Sequence, residues 1–353
     1  MLDFIIVGRG LAAAVLMHTL HRNRLSFKVI GNENLSHCSR VSAGSWNPIV
    51  FKRLTKSWMA ETLIPCLISF YGECEKTLCK KLMTHRLIIK PFTDENEKVL
   101  WTKQCIKPSF RDFLDPVMHD CVPSDFQQCD IPNGYGIVHN GGNLDVCEFL
   151  NATNSFFDEH IIEATFDHAS LKVSPESIGY THIVARYIIF CEGYLVKDNP
   201  LFNWVPFKFS KGEILTIHSK ELKLKSKYIL NREGYLLNIA PDIYKIGSTF
   251  TWDDLTPYAT RQGLADLKAK LAMLTWSEYF VLRHDAGIRP TTADGRPILG
   301  THPKYANVFI FNGLGTKGAM LAPYFANHFV VHLLKKTGIF PEVDVRRFHH
   351  LLR

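Results

Sequence analysis

The sequence predicts a mixed α/β protein (α+β overall) with two interleaved domains, one built on a parallel sheet and one on an antiparallel sheet. Three observations support this fold class. A glycine turn joins two short apolar runs within residues 4–30, which is the pattern of a βαβ unit. Residues 211–252 alternate between apolar and polar positions, as strands with one solvated face do. A second glycine-rich turn, at 312–318, follows another apolar run, so the parallel domain is predicted to be discontinuous in sequence.

The opening βαβ unit is predicted from its hydrophobic runs. Residues 4–7 are continuously apolar, which is typical of a strand buried on both faces. Residues 11–22 fit a helix with Val15, Leu16 and Leu20 on its buried side. Residues 27–30 form the next apolar run, so strand, helix and strand have the lengths expected of one unit.

The turn inside this unit has the spacing of a dinucleotide-binding, Rossmann-like site. Gly8 permits a tight turn, and Gly10 lets the backbone approach a pyrophosphate without a Cβ atom in the way. Ala13 still allows the helix to pack closely on the sheet. The N-terminus of the helix then offers unpaired N–H groups and partial positive charge to a phosphate.

The second strand departs from the usual pattern. An Asp or Glu about twenty residues after the turn normally binds the ribose hydroxyls of the dinucleotide. Here that position is Gly31, followed by Asn32 and Glu33. Either of these two side chains could replace the missing carboxylate, and the sequence leaves the choice open.

The remaining elements are predicted from periodicity and from breaker residues. A mixed stretch at 84–140, rich in Pro and aromatic residues, resists assignment. Pro323 is tolerated only in the first turn of the last helix, so this helix is predicted to begin near Met320 and to run to about residue 336. The other predicted elements are helices at 56–83, 146–157 and 257–274, and strands at 187–190, 213–218, 228–230, 235–238, 244–247 and 305–311.

These elements divide the chain into five segments. The nucleotide-binding domain is predicted to comprise residues 1–84, 141–205 and 285–353. The substrate domain is predicted to comprise residues 85–140 and 206–284.

Composition excludes several classes of protein. The chain of 353 residues is 46% hydrophobic and 21% charged, which suits a globular core. The net charge of +7 is scattered, and the lysines at 208–227 fit a solvated face, so a nucleic-acid partner is not expected. None of the nine Cys forms a C-x-x-C pair, which fits reduced cytosolic thiols and no metal site. With no signal peptide and no run of 18 apolar residues, we expect a cytoplasmic protein without membrane insertion.

The last third of the chain carries a second set of motifs. These are Gly-Ile-Arg-Pro at 287–290, Asp-Gly-Arg-Pro at 294–297 and Asn-Gly-Leu-Gly-Thr-Lys-Gly at 312–318. Together with the N-terminal turn they predict that one extended cofactor is bound at both ends. The first turn would bind the phosphates and the last loop the reactive ring, as in proteins that bind FAD.

The order of these motifs resembles that of the D-amino-acid oxidase/glycine oxidase family of FAD-dependent oxidoreductases. The resemblance covers nearly the whole chain and includes Cys-Glu-Gly at 191–193, Lys-Gly-Glu at 211–213 and Gly-Ser-Thr at 247–249. It looks most similar to a bacterial branch with an Ala-Gly-x-x-Asn-Pro loop, here 43–48. The resemblance implies a Rossmann-like FAD-binding domain and an antiparallel-sheet substrate domain.

The resemblance also implies a set of cofactor contacts. Because no Cys follows Cys191, a cysteine tether at the ring end is excluded, and we expect non-covalent FAD. The implied FAD-binding residues are Gly8, Gly10, Leu11, Ala12, Asn32, Glu33, Ser39, Arg40, Ala43, Gly44, Ser45, Asn47, Phe166, Cys191, Glu192, Gly193, Gly287, Arg289, Gly313, Gly315, Thr316, Lys317 and Gly318.

The chemistry implied is oxidation of an amine or amino acid. A C–H bond next to an amine nitrogen gives a hydride to flavin N5, the imine is hydrolysed, and dioxygen or another acceptor reoxidises the flavin. The cofactor supplies the chemistry, and the protein supplies orientation and electrostatics.

Two cationic side chains are the implied catalytic residues. Arg289 would bind a substrate carboxylate in bidentate fashion, and the alternative is a structural ion pair with Asp285 or Asp294. Lys317 would stabilise negative charge on the reduced flavin, and the alternative is a solvated lysine. The other candidates for the substrate side are Trp46, Tyr228, Tyr244, Thr249 and Trp252.

Two other functions stay open. The oxidase domain of the bifunctional wobble-uridine enzyme belongs to the same superfamily and acts on a carboxymethylaminomethyl group of tRNA. A non-catalytic flavoprotein module is the third possibility. Salt-dependent tRNA binding would separate the tRNA-modifying enzyme from a small-molecule oxidoreductase. Flavin reduction by any amine would exclude the non-catalytic module.

Overall fold

The computed structural model describes residues 1–33, 35, 38–120 and 125–352. The helices are α1 (Leu11–Arg22), α2 (Cys38–Val41), α3 (Ala60–Leu78), α4 (Glu95–Cys105), α5 (Val146–Phe156), α6 (Arg261–Ala272) and α7 (Gly318–Lys335). The strands are β1 (Leu2–Val7), β2 (Phe27–Gly31), β3 (Ser45–Trp46), β4 (Ile49–Val50), β5 (Thr55–Lys56), β6 (Met83–Pro91), β7 (Phe126–Gln127), β8 (Tyr135–Leu144), β9 (Ile161–Glu163), β10 (Leu171–Val173), β11 (Ile178–Tyr180), β12 (Ile183–Phe190), β13 (Ser210–His218), β14 (Lys223–Leu224), β15 (Tyr228–Asn231), β16 (Tyr235–Ala240), β17 (Ile243–Gly247), β18 (Phe280–Arg289), β19 (Ile298–Thr301) and β20 (Val308–Asn312).

The first sheet has a parallel core in the order β9–β2–β1–β12–β20. Strand β19 pairs antiparallel with β20, and the β10–β11 hairpin continues from the first half of β12. In the register of the central strands, Phe4 lies between Phe27 and Tyr187. The predicted βαβ unit and the mixed α/β class are therefore confirmed.

Strand β1 shows why this sheet needs a continuous apolar run. Phe4 and Ile6 belong to one hydrophobic cluster, whereas Ile5 and Val7 belong to another. Since successive side chains of a strand point to opposite faces, both faces of the sheet are covered. Helices α1, α3 and α7 contribute the first cluster.

Helix α7 begins earlier than its proline suggests. It starts at Gly318, two residues before Met320, so Pro323 lies inside the helix and its predicted place in the first turn is wrong. A proline at this place leaves the carbonyl four residues earlier without its helical N–H partner. That carbonyl belongs to Ala319, and it accepts a hydrogen bond of 3.1 Å from the Tyr71 hydroxyl on α3. The partner from α3 explains how the helix tolerates the proline.

The second sheet has the order β18–β13–β17–β16–β15–β6–β8–β3. All its pairs are antiparallel except β15–β6, and α6 packs on it through Leu267 and Leu271. The strands predicted within 211–252 are confirmed. The stretch at 84–140 that resisted assignment contributes most of β6, helix α4 and most of β8.

Some predicted bounds are wrong. The helix predicted at 56–83 is α3, which ends at Leu78, because Cys79 has a left-handed backbone with φ of 53°. Strand β8 crosses the predicted domain boundary after residue 140, and β18 crosses the one after residue 284. The division into five segments stays a prediction. Among the described residues, no helix has both the length and the apolar character needed to cross a lipid bilayer.

Candidate functional site

A cavity of about 600 Å³ extends from the carboxyl ends of the parallel strands to the second sheet. Gly8, Gly31 and Cys191 line it where β1, β2 and β12 end. Tyr235 and Arg289 line it from the second sheet. Ligands of open α/β sheets bind in the crevice outside these carboxyl ends, and here that crevice continues to a second domain surface.

The turn after β1 has the geometry of a phosphate site. Gly8 has φ of 114°, and a Cβ atom on it would lie 2.5 Å from the carbonyl oxygen of Cys191. Helix α1 begins next to the cavity with Gly10 as N-cap, which supplies no side-chain cap. The positive end of the helix dipole therefore faces the cavity, as an anionic pyrophosphate requires.

Most residues of the predicted FAD set meet at this cavity. Those that line it are Gly8, Gly10, Leu11, Ala12, Asn32, Ser39, Ala43, Gly44, Ser45, Phe166, Cys191, Glu192, Gly193, Gly287, Arg289, Gly315, Thr316 and Gly318. These residues come from segments far apart in sequence, and they line one cavity together with the glycine turn after β1. The cradle fits FAD.

Five residues of that set do not line the cavity: Glu33, Arg40, Asn47, Gly313 and Lys317. The Arg40 guanidinium contacts Asn151 and Glu33 instead. The Asn47 side chain accepts the N–H of Ile49 at 2.8 Å within its own turn. A Cβ atom on Gly313 would lie 2.9 Å from the Thr292 methyl carbon, so this glycine packs on that residue.

The Arg289 guanidinium is buried and held by neutral groups. Its Nη1 donates to the Lys211 carbonyl at 3.1 Å. Its Nη2 donates to the Ser248 hydroxyl at 2.9 Å and to the Thr249 carbonyl at 3.2 Å. The Phe250 ring covers it at 4.3 Å from the ring centroid. The side chain is thus fixed at the part of the cavity that the second sheet lines.

Gly212 provides the space that Arg289 occupies. Strands β13 and β18 are neighbours, and their register pairs Gly212 with Gly287, two residues before Arg289. A Cβ atom on Gly212 would lie 1.8 Å from Arg289 Nη2. The Lys-Gly-Glu motif therefore needs its glycine to admit the guanidinium.

The structural ion pair considered for Arg289 is not formed. Asp285 pairs with Arg283 at 3.0 Å, and Asp294 pairs with Arg347 at 2.8 Å. Within residues 1–33, 35, 38–120 and 125–352 no carboxylate pairs with Arg289. Burial lowers the pKa of Arg289, which reflects a positive charge without a counter-charge.

Tyr235 and Ser248 lie beside Arg289 at the cavity, and sequence reasoning missed both. Both line the cavity. The Tyr235 hydroxyl is buried and has no hydrogen-bond partner in the described part of the chain, and burial raises its pKa. Ser248 belongs to the Gly-Ser-Thr motif, so the sequence indicated that this segment is near the site but did not single out Ser248. Sequence reasoning chose Thr249, whose hydroxyl accepts the N–H of Glu213 at 2.9 Å.

Lys317 points away from the cavity. Its Nζ donates to the Ser57 hydroxyl at 2.8 Å. Burial lowers the pKa of Lys317, and the positive charge of Arg296 lowers it further. The neighbouring Gly315, Thr316 and Gly318 do line the cavity, so the backbone of this loop is the part that faces the site.

The predicted aromatic residues of the substrate side lie elsewhere. Trp46 is buried and donates from Nε1 to the Asn140 carbonyl at 3.0 Å. Tyr244 is also buried, with its hydroxyl 2.5 Å from the Leu222 carbonyl. Neither lines the cavity, and neither do Tyr228, Thr249 and Trp252. Phe250 and Tyr235 are aromatic residues of this region that do.

Glu192 is an acidic residue that lines the cavity just after β12. Its carboxylate lies 3.0 Å from the His168 Nε2 and accepts the Asn199 side-chain amide at 2.6 Å. Glu192 and His168 both line the cavity. The carboxylate is thus held by two neighbours beside the turn that follows β12.

This chain was compared with family profiles and with individual known proteins. The profile of a family described as FAD dependent oxidoreductase (DAO) matches residues 3–330. The bifunctional protein MnmC of tRNA 5-methylaminomethyl-2-thiouridine biosynthesis from Legionella pneumophila is 31% identical over 125 residues, 34% of this chain and 19% of that protein. Glycine oxidase of Bacillus subtilis is 29% identical over 115 residues, 32% of this chain and 31% of that protein. The matched part spans less than a third of either relative.

Solved structures share the whole fold. Glycine oxidase from Bacillus cereus superposes with a TM-score of 0.76 at 16% identity, covering 96% of each chain. Iminodiacetate oxidase from Chelativorans superposes with a TM-score of 0.74 at 16% identity, covering 98% of each chain. At these identities the likeness shows a common fold.

Proposed function

The chain belongs to the DAO family of FAD-dependent oxidoreductases, and on this premise we propose that it oxidises the C–N bond of a small amine that carries a carboxylate. An amino acid or an N-substituted amino acid has both groups. The proposed electron acceptor after each turnover is dioxygen.

The observation that carries this proposal is the unpaired Arg289. Its guanidinium is buried at the cavity wall, fixed by Ser248 and two carbonyls, and no described carboxylate neutralises it. A buried charge without a partner is unfavourable, so an anionic ligand gains more from pairing with it than it would in water. The charge of the guanidinium attracts a carboxylate, and a charged hydrogen bond from it would orient the ligand.

The neighbouring side chains extend this proposal. The unpartnered Tyr235 hydroxyl can donate to a substrate oxygen at the same end of the cavity. The Phe250 ring lies over the guanidinium, which is itself buried. These residues bind and orient the substrate. When bound, FAD accepts the two electrons released as the C–N single bond becomes a C=N bond, whose hydrolysis gives the carbonyl product.

An absorbance-monitored screen tests the proposal. Purified holoenzyme is mixed without oxygen with glycine, N-methylglycine, iminodiacetate and the enantiomers of larger amino acids, and loss of the oxidised-flavin absorbance is recorded. The methyl ester of each compound is its matched control. We expect reduction by at least one free acid and at least tenfold slower reduction by its ester, following the order of magnitude of a lost charged hydrogen bond. Equal rates with acid and ester would contradict the proposal.

A second candidate is oxidation of a modified wobble uridine in tRNA. It is favoured by the partial similarity to MnmC proteins, whose name refers to the biosynthesis of a modified uridine in tRNA. Half-exposed aromatic side chains also lie beside the cavity, with Lys208 over the Trp252 ring at 6.0 Å and Trp252 stacked on Phe250. A base can stack on such rings. Binding of total tRNA that weakens steeply with salt would support this candidate, and salt-independent or undetectable binding would oppose it.

A further inference from the structure

The ribose end of the cofactor cavity carries an arginine where the sequence pattern calls for an acid. Gly31 ends β2 at the position of the usual ribose-binding carboxylate. Arg9, between the two glycines of the first turn, lines the cavity at the same place, and its side chain is 7% exposed. Its Nε is buried and has no hydrogen-bond partner among the described residues. A buried donor of this kind is ready for a ligand acceptor.

Arg9 and a side chain at position 31 exclude each other. A Cβ atom on Gly31 would lie 2.6 Å from the Arg9 Cγ and 3.1 Å from its Cδ. These atoms form the near part of the arginine side chain, so rotation of its tip does not relieve the clash. The absence of an acidic side chain at position 31 therefore makes room for the arginine at position 9.

The acidic residues nearby hold the arginine and do not face the cavity. Arg9 Nη2 lies 3.4 Å from Glu33, and Nη1 forms an ion pair with Glu163. Glu163 is oriented in turn by the N–H of Glu33 at 2.7 Å. Neither glutamate lines the cavity, whereas Arg9, Asn32 and Gly31 do. The two carboxylates thus neutralise the guanidinium and fix its direction from behind.

We propose that Arg9 is the ribose anchor of the FAD site. Its guanidinium donates to the hydroxyl oxygens of the adenosine ribose, in place of an acid that would accept from them. Glu33 and Glu163 are positioning residues that act through Arg9. The assignment concerns only the nucleotide half of the cofactor and is independent of the substrate.

Exchange of the two residues tests the assignment. The dissociation constant of FAD is measured from the flavin fluorescence released on dilution of holoenzyme. We expect about 10- to 100-fold weaker binding for Arg9→Ala, as for loss of hydrogen bonds to a charged group. Gly31→Glu alone weakens binding through the clash, and the double variant Arg9→Ala/Gly31→Glu recovers affinity. Less than threefold change in Arg9→Ala, or a double variant weaker than Arg9→Ala, overturns the proposal.

The matched control is Arg186→Ala. Arg186 forms an ion pair with Asp3 in the same sheet, at the end of the strands away from the cavity, and is 60% exposed. We expect unchanged FAD affinity. Circular dichroism spectra of all variants, compared with wild type, separate a loss of fold from a loss of ribose contact.

A competition experiment separates ribose from phosphate contact. ADP and 2′,3′-dideoxy-ADP, which share the pyrophosphate, are titrated against holoenzyme and FAD release is recorded. In wild type we expect ADP to act at about tenfold lower concentration. In Arg9→Ala the two competitors should differ by less than twofold. An unchanged preference for ADP in Arg9→Ala would show that other residues bind the ribose. If the affinities for ADP and for 2′,3′-dideoxy-ADP also fell by the same factor, Arg9 would be assigned to the phosphates.

Discussion

At the scale of single residues, the part of the cavity lined by the second sheet carries a positive charge that neutral groups hold in place. Arg289 is fixed through two carbonyls and the Ser248 hydroxyl, so its orientation does not depend on a counter-ion. A ligand carboxylate can then pair with the guanidinium without displacing a protein carboxylate. This arrangement favours binding of acids over their neutral analogues.

Arg289→Ala should abolish most of the turnover of a carboxylate-bearing amine while FAD stays bound. Loss of a charged contact in a partly desolvated site costs about 2–4 kcal/mol, or roughly a 30- to 1000-fold loss in kcat/KM. Steady-state kinetics and the flavin absorbance of the purified variant measure both effects. Arg283→Ala is the control, because Arg283 lies on the same strand and is 70% exposed. A change below threefold in Arg289→Ala would remove the anchor role.

Tyr235→Phe should raise KM for the same substrate about tenfold, since the hydroxyl is expected to donate to a substrate oxygen. The free variant should be no less stable than wild type, because the buried hydroxyl of Tyr235 has no partner to lose among the residues that the structure describes. Substrate titrations and urea unfolding without substrate test the two parts. A destabilised variant with unchanged KM would give the hydroxyl a structural role instead.

At the scale of elements, α1 and α7 cover one face of the parallel sheet and depend on contacts from their neighbours. Tyr71 of α3 satisfies the Ala319 carbonyl in α7. His18 of α1 is buried against Phe149 and Phe157 of the α5 region and contacts the Thr153 hydroxyl at 3.0 Å. Both contacts join elements that are far apart in sequence.

Tyr71→Phe should lower the free energy of unfolding by about 1 kcal/mol, because the Ala319 carbonyl loses its donor. In a Pro323→Ala background the same change should have a smaller effect, since residue 323 then supplies its own N–H to that carbonyl. Denaturant unfolding of the four proteins gives the coupling energy. Equal effects of Tyr71→Phe in both backgrounds would show that the hydroxyl does not compensate for the proline.

His18 should make the protein sensitive to mild acid. Burial lowers the pKa of His18 from 6.5 to about 3 in the folded state. The unfolded chain therefore binds the proton more readily, so stability is fully present above about pH 6.5 and is lost as pH falls toward about 3. This one residue contributes at most about 1.4 kcal/mol per pH unit. His18→Gln should flatten the profile of melting temperature against pH in this window, and an unchanged slope would assign the acid sensitivity to other groups.

At the scale of the whole molecule, the cavity is lined from four separated stretches within residues 7–45, 165–198, 212–250 and 287–319. Both sheets contribute to it. A cofactor bound there contacts both and adds its binding energy to a single folded unit.

Added FAD should therefore raise the melting temperature of the whole protein in one transition. A ligand at one hundred times its dissociation constant contributes about 2.7 kcal/mol. Calorimetry with FAD and, as control, with FMN at equal concentration measures the effect, and FMN should act less because it lacks the adenosine half. A low-temperature transition that stays independent of FAD would show that one sheet unfolds alone.

How far the sequence predicts this molecule depends on whether a feature is local. The turn at Gly8 and Gly10 was predictable because backbone geometry and spacing are set within a few residues. Tyr235 was missed because its place depends on pairing with Gly247 across two strands. Trp46 and Tyr244 were expected at the substrate because they are aromatic, but strand register turns them into the core. Lys317 lies in a correctly predicted loop, yet its side chain turns to Ser57, 260 positions away in sequence.

The scattered origin of the cavity has a consequence for biosynthesis. A nascent chain that has emerged through β12 already has the glycine turn after β1, but not the residues at 312–319 that also line the cavity. The complete cavity therefore forms only after that loop has left the ribosome. Until then the second half of β12 lacks its neighbour β20, so the backbone groups at that edge of the parallel sheet are unpaired.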